Sequence, residues 1–271
     1  MNDFFIDKSE NGVKYGLFSH FCRLHVKHGI STRIGGMSRP PYSELNLGLH
    51  TGDNQHDVIY NRLLFCEAAG VVFDKVVTAQ QTHGDNIAIV SHVDMGKGHA
   101  SYDQSIEDTD ALITNIPNIP LMLFYADCVP VLIVDPIRNV VAVCHAGWKG
   151  TVAKIAQKTI LKMASQFQTI PSDCLVGIGP SIGACCYEVD QNVIIKLMQN
   201  FKSWKQLVKQ TSETHWKLDL WMANKIQLEE IGVKSPNIVI SGMCTSCNTS
   251  LFYSHRAEHG LTGRLGAVIS L

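Results

Sequence analysis

The sequence predicts a mixed α/β (α+β) fold in a single domain. Short apolar runs rich in β-branched residues alternate along the chain with segments whose apolar residues recur at helical spacing. The chain has 271 residues, of which 45% are hydrophobic and 17% are charged, which is enough apolar material for a large buried core. No internal repeat, linker or low-complexity tract divides it, so we expect one domain over residues 1–271.

Strands are predicted where an apolar run has strand length and is bounded by turn residues. Along the chain these runs cover residues 27–32, 75–79, 87–90, 111–114, 121–125, 131–134, 140–144, 174–178, 237–241, 251–253 and 267–271. The run over residues 140–144 is β-branched and alternates with alanine and cysteine, and it is predicted to be a buried strand that ends at His145.

Helices are predicted over residues 54–69, 151–167, 190–201 and 219–230. The segment 151–167 is the clearest, because its apolar residues form one face, lysines fill the other, and Gly150 or Thr151 is placed to cap it. Residues 33–53 are rich in Gly, Pro, Ser and Asn, and residues 91–108 are polar, so both are predicted to be loops. A long loop in a compact domain is typically either functional or disordered.

The composition excludes several classes of function. The net charge is −1, so broad electrostatic binding to nucleic acid or to an anionic membrane is not expected. The longest apolar stretch, 119–134, is interrupted by Asp127, and no apolar signal segment follows the first residues. The 9 cysteines are odd in number and, without a signal, indicate reduced thiols available for metal binding or catalysis. We expect a cytoplasmic protein that acts on a small molecule, as a monomer or homodimer.

Two histidines and one cysteine stand out as candidate metal ligands. His83, Cys128 and His145 each end an apolar run inside a turn of small residues. Two imidazoles and a thiolate would hold zinc and leave one position open, as catalytic zinc sites do. Taken singly, each also has a simpler interpretation: a surface histidine, a small buried cysteine or a histidine in a plain strand–helix connector. Asp127 adds weight, because a carboxylate inside an apolar run must find a partner.

Other cysteines and arginines are less informative. Cys185 and Cys186 are adjacent, and Cys244 and Cys247 form a C-x-x-C pair. A structural zinc site there is the less favoured interpretation, because a single C-x-x-C needs a second pair and adjacent cysteines rarely chelate one metal well. Arginines near the C-terminus, including Arg264, are either solvated or bind a phosphate or substrate.

A series of motifs in fixed order resembles the YfiH family, long labelled as multicopper polyphenol oxidoreductases (laccases) and now described as purine nucleoside phosphorylases. Gln-Thr-His-Gly, Ala-Asp-Cys-Val-Pro and His-Ala-Gly-Trp-Lys-Gly are its most specific members, and the resemblance runs from about residue 28 onward. The matching segments are 31–36, 45–48, 81–84, 126–132, 145–150, 177–183, 187–189, 244–245, 252–256 and 262–264.

The resemblance implies a four-layer α/β/β/α sandwich, shared at a distance with the catalytic domain of cytotoxic necrotizing factor toxins. It also implies phosphorolysis of adenosine, inosine and methylthioadenosine, together with deamination of adenosine. The zinc ligands of the family map onto His83, Cys128 and His145. One departure is that Arg256 is followed by Ala257 and Glu258, where the family often has a second arginine.

The catalytic residues expected on this basis are His83, Cys128 and His145, with Asp127 as a proton-transfer group or a partner of the site. The substrate-binding candidates lie in the matching motifs. We expect Arg33, Arg256 and the backbone after His145 to bind phosphate, with Asn46 and Gln81 as further contacts to a purine nucleoside.

Three other functions use the same residues. A copper polyphenol oxidase is possible because copper(II) outcompetes zinc at most nitrogen and sulfur sites, but the 12 histidines include no His-x-His pair. A metal-free hydrolase would use Cys128 as nucleophile and a histidine as base, and an amidase acting on cell-wall precursors would be of this kind. A zinc-stabilised binding protein would have no activity at all.

Overall fold

The computed structural model describes residues 3–271. Its strands, numbered in chain order, are β1 (Phe4–Lys8), β2 (Lys14–Phe18), β3 (Lys27–Ser31), β4 (Ile87–Ile89), β5 (Ala111–Thr114), β6 (Leu121–Tyr125), β7 (Val129–Asp135), β8 (Val140–Ala146), β9 (Leu175–Ile178), β10 (Glu188–Asp190), β11 (Val208–Gln210), β12 (His215–Leu218), β13 (Ile238–Ile240) and β14 (Leu265–Ser270).

The helices are α1 (Ser19–Cys22), α2 (Gln55–Ala69), α3 (Trp148–Val152), α4 (Ile155–Phe167), α5 (Gln191–Asn200) and α6 (Leu220–Glu229). Asn54, Asp190 and Asp219 cap α2, α5 and α6, because each side-chain oxygen accepts a hydrogen bond from a backbone N–H of the first turn. Short 3-10 turns lie at Phe73–Lys75, His92–Asp94, Tyr102–Gln104, Pro171–Asp173, Trp204–Leu207 and Ser235–Asn237. Within the described residues, no helix combines the length and apolar character that a membrane crossing needs.

The strands of residues 3–271 form three sheets, with five, six and three strands. The five-stranded sheet has the order β1-β2-β3-β14-β6, and the six-stranded sheet has the order β13-β9-β7-β8-β5-β4. Antiparallel β7 and β8 lie at the centre of the larger sheet and are buried along their whole length. This double burial explains why their sequences are continuous apolar runs.

Three apolar clusters separate the layers. The first packs α4, α5 and α6 against one face of the six-stranded sheet. The second lies between the two large sheets, and the third packs α2 against the outer face of the five-stranded sheet. The mixed α/β class is therefore confirmed, and the order of the clusters is consistent with the four-layer α/β/β/α arrangement.

Two predicted strands are wrong. Residues 75–79 make only isolated bridges, in which Val77 faces Gly98 and Leu121 while Ala79 faces Ile106. Residues 251–253 form a turn, in which the amide of Leu251 donates to the carbonyl of Asn248. Both segments are apolar because their side chains fill the core and not because they belong to a ladder. Val77, Ala79, Phe252 and Tyr253 lie between the two large sheets, and Val76 lies in the cluster under α2.

The helix predicted over residues 151–167 is interrupted. Lys154 adopts a left-handed conformation with φ of 62° and separates α3 from α4. The first helix starts earlier than predicted, with Gly147 as its N-cap, and Thr151 lies inside it. The break leaves no trace in the apolar spacing, because buried residues continue at Val152 and Ile155 on either side of it. The short elements β1, β2, α1 and β10–β12 were also missed, since their sequences are mixed in polarity.

His28 on β3 is a buried histidine held in one neutral tautomer. Its Nε2 atom accepts a hydrogen bond from the amide of Phe18 at 2.9 Å, and its Nδ1 atom donates to the carbonyl of Val26 at 2.9 Å. Burial lowers the pKa of His28 to about 4 from its ordinary value of 6.5. Protonation would also remove the acceptor that the Phe18 amide requires.

We expect His28 to reduce stability at mildly acidic pH. The unfolded chain takes up a proton near the ordinary pKa while the folded chain does not, so the free energy of unfolding should fall as the pH drops from about 6.5 to about 4. Between pH 7 and 5 the loss from this residue should be about 2 kcal/mol.

Denaturant unfolding of the wild type and His28→Gln at both pH values measures the effect. The variant should be less stable at pH 7 but should lose about 2 kcal/mol less on acidification. His56→Gln, at an exposed position, serves as the control. Equal losses in the wild type and His28→Gln would contradict the expectation.

Candidate metal centre

The fold brings His83, Cys128 and His145 together. One ligand atom from each lies within 4.8 Å of the others. Cys128 directly precedes β7 and His145 lies near the end of β8, and the register that pairs Pro130 with His145 places these two ends side by side. His83 reaches the same point from the loop before β4, so that its ring centroid lies 4.8 Å from that of His145.

The backbone is shaped for this convergence. His83 and Asp127 both adopt positive φ, at 62° and 79°, so each turns the chain out of the extended conformation. The bend that places Asp127 and Cys128 in one site is therefore at Asp127, while Pro130 continues the strand. Gly147 lies against the ligands, and a Cβ atom there would be 3.0 Å from Cys128 Sγ and 3.2 Å from His83 Cδ2. Any larger residue would crowd the centre.

Asp110 organises two of the three ligands. Its fully buried carboxylate lies 2.7 Å from His145 Nδ1 and accepts hydrogen bonds from the amides of Thr82, His83 and Gly84. Since Nδ1 of His145 is occupied, only Nε2 can face the cluster. One carboxylate therefore sets both the ring of His145 and the turn that carries His83, the role that such partners play in metal sites.

The electrostatics favour a thiolate. Burial alone would raise the pKa of the Cys128 thiol, but the charge of His145 and hydrogen bonds from both histidines lower it to about 6. Burial opposes protonation of His145, but the thiolate and the Asp110 carboxylate raise its pKa to about 9. The same contact with His145 lowers the pKa of Asp110 against the effect of burial. The site therefore stabilises the deprotonated sulfur that metal binding requires.

The donor set fits a borderline or soft divalent metal. Imidazole nitrogen and thiolate sulfur are ligands that zinc and copper accept, whereas calcium and magnesium require oxygen. The three ligands range from the buried His145 through the partly buried Cys128 to the exposed His83. An ion held by them would keep one side open.

That open side faces a cavity of about 500 Å³. Aromatic, basic and imidazole side chains line it beside the three ligands, namely His50, Tyr102, Phe124, Trp148, Tyr187, His255, Arg256 and Arg264. The combination of flat rings, two guanidinium groups and a metal-ligand set is suited to a ligand with both an aromatic and an anionic part.

Comparison with known proteins agrees with this architecture. The family described as multi-copper polyphenol oxidoreductase laccase matches residues 27–271. The crystal structure of Bacillus licheniformis hypothetical protein YfiH matches with a TM-score of 0.91 and 38% identity, over 95% of this chain and 96% of that one. The chain belongs to the laccase-like YfiH family. The resemblance seen in the sequence motifs is thereby confirmed.

Named relatives of this YfiH-family chain are enzymes. It is 38% identical to purine nucleoside phosphorylase YlmD of Bacillus subtilis (strain 168), over 90% of this chain and 87% of the relative. It is 33% identical to adenosine deaminase RL5 of an unknown prokaryotic organism, over 80% of this chain and 83% of the relative. The crystal structure of YlmD from Geobacillus stearothermophilus gives a TM-score of 0.87 at 38% identity, over 90% of each chain.

Three further residues predicted from the YfiH motifs line the cavity. Arg256 does so with its guanidinium 5.2 Å from the ring of Tyr187. Gln81 also lies in the wall, but its amide is already paired with the backbone N–H and C=O of Phe124, each at 2.8 Å. The carboxylate of Asp127 accepts hydrogen bonds from Thr245 Oγ1 and from the amide of Arg256, both at 2.6 Å. Asp127 thus holds two loops together.

Two predicted substrate contacts lie elsewhere. The cavity wall, as residues 3–271 define it, includes neither Arg33 nor Asn46. The guanidinium of Arg33 pairs with Glu258 at 2.9 Å and donates to two backbone carbonyls. Asn46 is buried, and its amide donates to Thr51 and Asp53. Both side chains stabilise the long loop over residues 33–53.

Sequence reasoning missed several residues of the YfiH-family site. Asp110 has no local signal, because its partners come from distant segments. Arg264, by contrast, was a candidate from the sequence, either solvated or in contact with a phosphate or substrate, and the structure places it in the cavity wall as a second guanidinium beside Arg256. His50, in the predicted loop, also lines the cavity, and burial, aided by the nearby arginines Arg264 and Arg62, lowers its pKa to about 4. Loop position alone could not distinguish it from other polar residues.

We expect Asp110→Asn to weaken metal binding by about 10- to 100-fold, the effect of removing such a partner in other metal sites. The amide keeps the shape of the side chain but loses the charge that holds His145 and the turn around His83. Competition with a metal-binding dye measures the affinity, and circular dichroism monitors folding. Asp74→Asn, at an exposed position, is the control. A folded Asp110→Asn protein with wild-type affinity would contradict this role.

Proposed function

We propose that this protein is a zinc-dependent purine nucleoside phosphorylase with adenosine deaminase activity. Its substrates would be adenosine, inosine and methylthioadenosine with phosphate, and its products the free base and the corresponding pentose 1-phosphate. The observation that carries the proposal is a His–Cys–His centre with one open side in the wall of a cavity that also holds two arginines and several aromatic rings. The names of the relatives support it.

The cavity fits the nucleoside part of such a substrate. A volume of about 500 Å³ is within the range of small-molecule sites. Tyr102, Phe124, Trp148 and Tyr187 offer flat apolar surfaces against which a purine can stack. The burial of His145 keeps water from that side of the site.

The two arginines supply the anion site. Arg256 donates from Nη2 to the carbonyl of Glu188, and Arg264 donates from Nη1 to the carbonyls of Thr262 and Gly263. These bonds fix the guanidinium groups and leave their other N–H groups for phosphate oxygens. The neighbouring carboxylate of Asp127 is occupied by Thr245 and a backbone amide, so it acts as a positioning residue.

In phosphorolysis, a phosphate oxygen forms a bond to the anomeric carbon of the ribose while the glycosidic bond to the purine nitrogen breaks. The electron pair leaves with the base, which takes up a proton. Arg256 and Arg264 orient the phosphate, and the aromatic wall holds the purine. In deamination, water adds to the purine C6 and ammonia leaves. Zinc held by His83, Cys128 and His145 would supply a Lewis acid at the open side of this site.

A metal-free thiol hydrolase is the second candidate, and one observation favours it. Cys128, His145 and Asp110 form a Cys–His–Asp series in which the pKa of the thiol is about 6. Such an enzyme would keep its activity after chelation and lose it on treatment with iodoacetamide. The phosphorylase would lose activity on chelation and regain it with zinc. We place either enzyme in the cytoplasm, where a reducing environment keeps the cysteines free.

The primary test is incubation of the purified protein with adenosine and phosphate. We expect adenine, ribose 1-phosphate and inosine, and a drop of about a hundredfold or more in all three for His83→Ala and Cys128→Ser, which remove metal ligands. The control is Cys22→Ser, at a half-buried cysteine outside the centre. Chromatography of the products measures the outcome. A metal-loaded wild type that forms none of the three products would refute the proposal.

Arg256→Gln tests the anion site. A charge-assisted hydrogen bond to phosphate is lost, so the KM for phosphate should rise by about tenfold, while the KM for the nucleoside changes little. Steady-state kinetics with each substrate varied in turn separates the two constants. Arg23→Gln, at an exposed arginine of the surface, should leave both unchanged. A rise confined to the nucleoside KM would place phosphate elsewhere.

A further inference from the structure

Four cysteines outside the His–Cys–His centre converge near the surface. The Sγ atoms of Cys185, Cys186, Cys244 and Cys247 all lie within 4.8 Å of one another. Cys247 Sγ lies 3.5 Å from Cys185 Sγ and 3.4 Å from Cys186 Sγ. Two of the four are exposed, one is partly buried and Cys244 is buried. We call this group the cysteine cluster.

Two loops at one end of the six-stranded sheet build the cluster. The turn that carries Cys185 and Cys186 follows β9, and the loop that carries Cys244 and Cys247 follows β13, which pairs with β9 in parallel. An isolated bridge between Ser181 and Cys244 continues that pairing. The parallel alignment of two neighbouring strands therefore delivers both cysteine pairs to one place.

The local backbone also contacts the buried sulfur of the cluster. The amide of Gly183 donates a hydrogen bond to Cys244 Sγ at 3.2 Å. Outer hydrogen bonds of this kind orient the ligands of metal sites. A Cβ atom on Gly183 would lie 3.3 Å from Cys185 Sγ and 3.0 Å from the ring of Trp221, so the absence of a side chain lets the turn approach the sulfurs.

We propose that Cys185, Cys186, Cys244 and Cys247 bind a second zinc ion through four thiolates. In tetrahedral coordination with zinc–sulfur bonds of about 2.3 Å, neighbouring sulfurs are about 3.8 Å apart. The distances from Cys247 Sγ, 3.5 Å to Cys185 and 3.4 Å to Cys186, are slightly below that value, and all four sulfurs lie within 4.8 Å of one another. A disulfide would need only two sulfurs at about 2.05 Å and would not explain why four converge.

The fold overturns the reason for expecting only free thiols here. The pair Cys244 and Cys247 alone supplies too few ligands for a structural zinc site. The pairing of β9 with β13 brings Cys185 and Cys186 beside them, and together the two pairs supply four ligands. Four protein ligands close the coordination sphere, so the ion would be structural, unlike the open centre at Cys128.

The zinc ion would hold part of the cavity wall in place. Tyr187, which lines the cavity, directly follows Cys186. Thr245 directly follows Cys244 and donates to the carboxylate of Asp127, the residue before Cys128. The cysteine cluster is therefore adjacent in sequence to Tyr187 in the cavity wall, and through the hydrogen bond of Thr245 it is linked to Asp127, the residue before Cys128.

Metal content of protein purified without an affinity tag and under reducing conditions tests the proposal. The wild type should carry two zinc ions per chain. The double variant Cys185→Ser/Cys247→Ser should carry one, retained at the His–Cys–His centre, and His83→Ala should keep the one in the cysteine cluster. Cys22→Ser, outside both groups, should keep two.

The zinc contents of these variants distinguish this inference from the proposed function. One zinc ion that survives His83→Ala and is lost in the double variant supports the cysteine cluster even if the other centre is metal-free. One zinc ion with the opposite pattern overturns the inference, as does a disulfide among these four cysteines that persists in protein purified under those conditions. Cobalt substitution of the wild type gives an answer if the double variant does not fold, because four thiolates give intense tetrahedral cobalt absorption. A spectrum without that absorption overturns the proposal.

Discussion

The contact between the Asp110 carboxylate and the His145 imidazole is the interaction on which the candidate site depends. The carboxylate is fully buried, a position that a charge can hold only with several partners. It accepts hydrogen bonds from the backbone amides of the turn at His83 and also contacts His145 Nδ1. Because β5 and β8 are paired, the acid and the histidine are fixed to one rigid sheet. The remaining ligand, Cys128, needs only the β7–β8 register to join them.

A second buried carboxylate, that of Asp127, also joins separate segments of the chain next to Cys128. Asp127 is satisfied by Thr245 and by the amide of Arg256, so it joins the C-terminal loops to the start of β7. Those loops carry Arg256 and its neighbours into the cavity. The two carboxylates therefore have separate roles in the site. Asp110 orients the candidate metal ligands, and Asp127 sets the distance between them and the arginine that is proposed to bind phosphate.

The parts of this molecule that sequence predicts well are those with a local signal. The apolar runs over residues 131–134 and 140–144 predicted two strands that lie within β7 and β8, and the position of His83, Cys128 and His145 at the ends of apolar runs predicted the cluster that the fold brings together. Arg33 and Asn46 were expected in the cavity because they lie in matching motifs, but their polar atoms are used within the loop. Asp110 was missed because its role comes from its contact with His145. The two residues are far apart in the sequence, and only the pairing of β5 with β8 makes them neighbours.

The His–Cys–His centre and the cysteine cluster differ in the number of ligands that they offer to a metal ion, and this difference would give them different roles. Three ligands from three separate segments leave the His–Cys–His centre open toward the cavity, so an ion there is available for chemistry. Four sulfurs from two loops leave the cysteine cluster closed, so an ion there can act only on structure. The path between them is short, from Cys244 through Thr245 to Asp127 and then to Cys128. A change in the cysteine cluster would therefore reach the open centre through the Asp127 carboxylate and would not require movement of the sheets.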